Sequence, residues 1–270
     1  MCYCLRVSRS SYYAWRNRDQ SKNTLENKII SRKIEEIFSK SRQSYGARRI
    51  KKALARENFI VSRRRITRLM NQMGLSCRRK RRVRFTTDSN HNLPIAPNLL
   101  NRNFKASKPN THYVGDITYI RTESGWLYLA VVIDLFSRKV VGWSMAEHMK
   151  ADLVNNAILM AIWQRKPSKG LISHTDRGSQ YASDSHRKIL EKHGVRQSMS
   201  RKGNCLDNAV SESFFNILKT ELVYRSKFKT KDEAYKKIFE FIEVFYNRLR
   251  MHSTNNYLSP VEYEQSPSFH

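Results

Sequence analysis

Three carboxylates stand where an acidic side chain is either costly or well placed to act: Asp116 in VGDITYI, Asp176 in HTDRGSQY and Glu212 in DNAVSESFFNILKTEL. Asp116 falls in the middle of an apolar, β-branched run, where a buried charge needs a partner, usually a cation. Asp176 follows LISHT at what reads as the carboxyl end of a strand, where α/β sheets gather site residues. An aspartate there serves equally well as the N-cap of the next helix. Helical periodicity through residues 207–222 turns Val210, Phe214, Ile217 and Leu218 to one side and Asn208, Glu212 and Lys219 to the other. That second face sets an amide, a carboxylate and an ammonium in one row, and it reads equally as a solvated stripe. Three hard oxygen donors suit Mg2+ or Mn2+. Two such ions about 3.5–4 Å apart clamp the attacking and leaving oxygens of phosphoryl transfer.

Spacing alone is a weak guide in a chain with 23 acidic residues. Context carries more: one carboxylate sits on a first strand, one after a fourth strand, one on a later helix. Asp134 in VVIDLFSRK is a rival to Asp116, but its place before a tight turn favours a structural Asx role. The four cysteines are too few and scattered for a disulfide framework, and they read as reduced thiols. No Ser/His/Asp or tyrosine-nucleophile arrangement is visible.

The elements that must position these carboxylates begin with THYVGDITYIR (111–121), WLYLAVVIDLF (126–136) and RKVVGWSMA (138–146), rich in β-branched and aromatic residues with turn signals between them. They predict an antiparallel three-strand meander. A helix from about Ala151 to Trp163, a strand at 171–175, a helix from about Ser179 to Lys192 and a strand at 195–199 follow. Long helices then begin near Asp207 and Thr230. Three antiparallel strands, then two more alternating with helices, give an α/β order of the ribonuclease-H-like kind.

With 40% apolar and 11% aromatic residues, the chain can bury real cores, which excludes a disordered tail. Its 51 basic and 23 acidic residues give a formal charge of +28 and imply a polyanionic partner. No apolar run approaches a membrane span, and the N-terminus lacks a secretory core, so a soluble intracellular protein with no membrane partner is expected. Residues 1–100 hold 25 basic and 6 acidic side chains, against 26 and 17 afterwards, which marks two functional parts.

In the basic part, residues 1–22 predict a helical segment. Leu25, Ile29, Ile30, Ile34, Ile37 and Phe38 then recur at helical spacing, and YGARRIKKALARE and SRRRITRLMNQMG follow, with Ser62 placed to cap and Gly74 to stop the last helix. Residues 23–84 thus predict an all-α, helix-turn-helix-like unit, whose last helix opens with Arg63, Arg64 and Arg65 toward a major groove. Arg78, Arg79, Lys80, Arg81 and Arg82, in CRRKRRVR, form a run suited to phosphates. Residues 85–110, with three prolines and many asparagines, predict a linker to a catalytic core at 111–225, with a helical extension at 226–270.

VGDITYI, YLAVVIDLFSRKVVGW, HTDRGSQY, GNCLDNAVSESFFNILKTEL and FYNRLRMHSTNNYLSPVEYE resemble, in order and spacing, the DDE transposases of bacterial insertion sequences of the insertion-sequence-three group. The match is to the second reading frame, OrfB, whose core is similar to retroviral integrase. VSRSSYYAWRNR and YGARRI extend it over nearly the whole chain. The resemblance implies that Asp116, Asp176 and Glu212 bind two Mg2+ or Mn2+ ions with DNA present, and that Lys219 contacts the transposon end. Asn208 and Arg177 are expected to join it on DNA. It implies cleavage at transposon ends and strand transfer, with transposon-end and target duplexes as partners. A homo-oligomer on DNA, an upstream-frame OrfA product or fusion, and a cytoplasmic, nucleoid-associated location follow from the same resemblance. Leu206, Tyr113-Val114-Gly115 and Thr254-Asn255-Asn256 depart from the usual motifs, and none removes a carboxylate.

Overall fold

The computed structural model describes residues 2–17, 19–77, 93–201 and 208–266. The chain divides into two units, residues 1–78 and 79–270.

The first unit is helical: α1 (Arg9–Arg16), α2 (Lys22–Lys40), α3 (Ala47–Arg56) and α4 (Arg63–Gln72). Ile30, Ile34, Ile37 and Phe38 of α2 meet Ile50 and Leu54 of α3 and Ile66, Leu69 and Met70 of α4 in the buried centre. Leu25 and Ile29, on the same apolar periodicity, stay about half exposed. The Ser62 hydroxyl accepts from the Arg65 amide and starts α4, and Gly74 ends it with a φ of 67°, a conformation glycine adopts without strain.

The second unit is built on five strands in the order β3-β2-β1-β4-β5: β1 (His112–Thr122), β2 (Gly125–Asp134), β3 (Val140–Ala146), β4 (Ile172–Thr175) and β5 (Arg196–Met199). β1, β2 and β3 form an antiparallel meander, and β4 and β5 join β1 in parallel. Helices cover both faces. α5 (Ala151–Arg165) and α6 (Asp184–Lys192) pack on one through Leu153, Val154, Ala157, Ala161 and Leu190 against Tyr113, Ala130, Val132 and Val141. Gly142 permits this contact, because a Cβ there would collide with the Ala157 carbonyl oxygen.

α7 (Ala209–Glu221) and α8 (Lys231–Glu240), the latter continued by a π-helical stretch at Phe241–Leu249, cover the other face. There Phe214, Leu218, Ile238, Phe241 and Phe245 meet Val114, Ile120, Leu129 and Val131. α9 (Pro260–Glu264) follows. The mixed sheet in this order is the ribonuclease-H-like arrangement expected from the order of the elements.

Residues 93–110, expected as linker, run along this unit: Leu100 is buried in its core, and the Leu99 amide donates to the Ser198 hydroxyl (2.9 Å). The helical segment after residue 226 also completes the core, because its Phe228, Ile238, Phe241 and Phe245 are apolar side chains that the sheet face needs as cover.

Candidate active site

Asp116 lies on β1 opposite Val131, on the sheet face that α7 covers, and is only 9% exposed. Its Oδ1 accepts from the amide of Ile117 (2.7 Å). β4 pairs only with residues 112–114, so the sheet opens just beyond, where Asp116 sits.

Asp176 comes directly after β4 at that opening. Its Oδ1 accepts from the Gly178 amide (2.9 Å), and a Cβ on Gly178 would lie 3.0 Å from that oxygen, so the turn favours glycine. α6 begins later than expected, at Asp184, because the Ser183 hydroxyl caps it. Asp176 is therefore not that helix's cap. Burial and the negative charge of Asp176 hold the Asp116 carboxyl well above the usual carboxylate range; Glu212 adds repulsion and Lys219 opposes it. Four groups from β1, the β4 end and α7 thus act on one carboxyl.

Tyr181 belongs to the same cluster. It is buried, and its hydroxyl sits 3.6 Å from where a Gly115 Cβ would be. Burial, then Asp116 and Asp176, push its pKa well up. Residue type and spacing gave no sign of it, although it closes the HTDRGSQY motif.

Glu212 occupies the first turn of α7, where the helix's positive end favours a carboxylate, and burial raises its pKa. Lys219, two turns on, is half-buried with Nζ 5.0 Å from the Tyr119 ring centre and without a carboxylate or hydrogen-bond partner among the described residues. Burial lowers its pKa, while Asp116 raises it. Asn208 precedes α7 and is buried, and its Oδ1 has no partner among the described residues. Arg177 is half-buried and donates from Nε to the Ser200 carbonyl (2.7 Å). Asp134 is fully buried: Oδ1 accepts from Phe136 and Oδ2 from Asn110, the Asx role its position suggested.

Hard oxygens from Asp116 and Asp176, with Glu212 nearby, form a donor set that fits a divalent ion, and the repulsion on Asp116 is the kind a cation relieves. Among the described residues, no three His, Cys, Asp or Glu side chains already stand close enough together to enclose one.

In the first unit, Arg64, Thr67, Arg68 and Asn71 share an exposed face of α4, and Arg63 is exposed beside it. Arg65 instead turns to α2, donating to Asn27 Oδ1 (2.8 Å) and to Glu26 Oε2 (2.6 Å). Arg78, Arg79, Lys80, Arg81 and Arg82 lie outside the described residues.

The comparisons with known proteins agree with this layout. An HTH-like domain model matches residues 24–83, and integrase core domain models match 106–205 and 212–267. The chain is 41% identical over 271 residues to transposase InsF for insertion sequence IS3A of Escherichia coli (strain K12), covering 98% of this chain and 92% of that one. The chain belongs to the insertion-sequence-three family of transposases. It is also 44% identical over 250 residues to the transposase for insertion sequence element IS904 of Lactococcus lactis, covering 92% of this chain and 98% of that one. A third relative, 43% identical over 265 residues and covering 98% and 97%, is an uncharacterized 31 kDa protein of insertion element IS600 of Shigella sonnei. In fold, this chain is similar to a chain of the simian T-cell lymphotropic virus intasome: TM-score 0.52, 20% identity, 67% of this chain and 62% of that chain. As a member of this family, the chain is a DDE polynucleotidyl transferase. Among the described residues, no helix is long and apolar enough to cross a membrane.

Proposed function

We propose that Asp116, Asp176 and Glu212 are the catalytic carboxylates of this transposase, holding Mg2+ or Mn2+, two ions when DNA is bound. The observation that carries this reading is the opening of the sheet beyond residue 114, where the buried Asp116 sits beside the end of β4 that bears Asp176, on the face covered by α7 with its Glu212 and Lys219. When bound, the ions would polarise the scissile phosphate and make the attacking oxygen a stronger nucleophile.

The chain's own residues divide the remaining work. Asp116 and Asp176 are fixed by backbone amides, so their oxygens are oriented before DNA arrives. Glu212 and Lys219 ride on one helix, which sets carboxylate and ammonium roughly 10 Å apart along its axis. Lys219 and Arg177 would take phosphates beside the scissile one, with Asn208 near them, and Arg63, Arg64 and the basic run at 78–82 would hold the duplex. Water attacks first and frees a 3′-hydroxyl at the transposon end, and that hydroxyl then attacks a second phosphodiester. A hydrolytic nuclease would stop after the first step; kinship with transposases over 98% of the chain favours both.

The same reading makes the partners transposon-end and target duplexes, a second copy of the chain on DNA and an upstream-frame product. The place of action would be the bacterial cytoplasm at the nucleoid. A Mg2+-dependent strand-transfer assay on cognate ends tests it: joined product supports the proposal, and hydrolysis without joining rejects it.

A further inference from the structure

Beyond Asp116, the β1–β2 hairpin presents an aromatic surface that the chemistry above does not use. The register pairs Tyr119 with Tyr128 and Arg121 with Trp126, so all four side chains emerge on one face. Trp126 is 46% exposed and meets Tyr119 diagonally, with ring centres 5.1 Å apart and planes at 83°. Arg121 is exposed beside them. The Lys219 ammonium stands 5.0 Å from the Tyr119 ring centre.

A half-exposed tryptophan at the end of the hairpin contributes little to the core on its own sheet face, which is built around Ala130 and Val132. Leaving this much ring surface in water has a cost that a bound partner would remove. Two cations flanking two rings match a phosphate–base unit: the guanidinium and ammonium take phosphates, and a ring face takes a base. Tyr119 is three residues along the strand from Asp116, about 10 Å at 3.3 Å per residue, and leaves the sheet on the opposite face. Lys219, which stands at the Tyr119 ring and feels the Asp116 charge, links the two, within the span of one or two nucleotides. A paired base keeps its faces stacked within the duplex, so the surface suits an unpaired one.

We propose that Trp126 and Tyr119, with Lys219 and Arg121, form a binding site for an unpaired DNA base next to the scissile phosphate. The proposal rests on Asp116 marking the catalytic centre, but its test does not use catalysis.

The full chain is titrated, in EDTA, with a short fluorescent oligothymidine and with an abasic oligodeoxyribose phosphate of the same length and charge. The wild type should bind the oligothymidine about tenfold more tightly than the abasic strand, the size of one base stacked on one ring. Trp126→Ala and Tyr119→Ala should lose that preference while binding the abasic strand as the wild type does, and Trp126→Phe should keep most of it. Equal losses on both strands would mean that the rings act through charge or folding and would overturn the proposal; so would an undiminished preference in both alanine variants. Failure of the catalytic reading would instead show as carboxylate substitutions that leave Mg2+-dependent cleavage intact.

Discussion

The Arg250 guanidinium holds the Glu221 carboxylate through two hydrogen bonds, 2.9 and 2.7 Å long, where the two side chains are only 3% and 9% exposed. Glu221 closes α7, so this pair fastens the helix carrying Glu212 and Lys219 to the chain that follows the π-helical stretch. Arg250→Met leaves a buried carboxylate unpaired and should cost about 3–5 kcal/mol in denaturant unfolding. Arg250→Met combined with Glu221→Leu should recover much of that loss, since no charge is then stranded. A single-variant loss under about 1 kcal/mol, as for an exposed pair, would contradict this assignment.

Asp134 predicts a pH effect of definite sign. Burial, the largest influence, raises its folded pKa to about 6 from an ordinary 3.8. Between those values the folded state keeps a proton that the unfolded state has lost, so this contribution is full below pH 3.8 and is lost as pH rises to about 6. The wild type's stability margin over Asp134→Asn should therefore shrink by roughly 2 kcal/mol between pH 4 and 6. His186, lowered by burial to about 4, changes in the opposite sense and masks the trend in the wild type alone, which makes the difference between the two profiles the informative quantity. A margin independent of pH would show that Asp134 titrates normally.

Much of this layout is legible in the sequence, for reasons that particular residues show. The β-branched runs around Asp116 and Asp134 can only be central strands, and Ser62 and Gly74 bracket α4 by chemistry that works locally. Tertiary choices are not legible. Nothing local says that Arg65, third in a row of arginines, finds Glu26 and Asn27 on α2, or that Ile30 is covered while its neighbour Ile29 is not. Leu100 reads as linker because its partners on the sheet and its covering helices lie far away in sequence. Tyr181 is invisible for the same reason: its hydroxyl gains meaning only when β1 and β4 bring Asp116 and Asp176 together.

The basic run at 77–84 predicts a salt effect. Deleting it should weaken binding to all duplexes alike and flatten the dependence of log K on log salt by about five units, at roughly 0.9 per neutralised phosphate. An unchanged slope would show that these residues do not lie on phosphates.

Lys219 separates positioning from metal chemistry. Lys219→Ala should raise the DNA concentration needed for cleavage several-fold without moving the Mg2+ requirement, and Lys219→Arg should retain part of the function because the charge survives in a different geometry. Alanine silent in both binding and cleavage would make the lysine a bystander, and a shifted Mg2+ requirement would place it at the ions.

The most direct measurement compares Asp176→Asn and Glu212→Gln with the wild type and with Asp134→Asn, following end cleavage, strand transfer and DNA binding in parallel on cognate ends with Mg2+. Asp176→Asn and Glu212→Gln should each abolish both chemical steps while DNA binding stays near the wild-type level, and Asp134→Asn should keep most of its chemistry. Near-native cleavage by Asp176→Asn or Glu212→Gln would contradict the assignment of these carboxylates as the metal-holding centre.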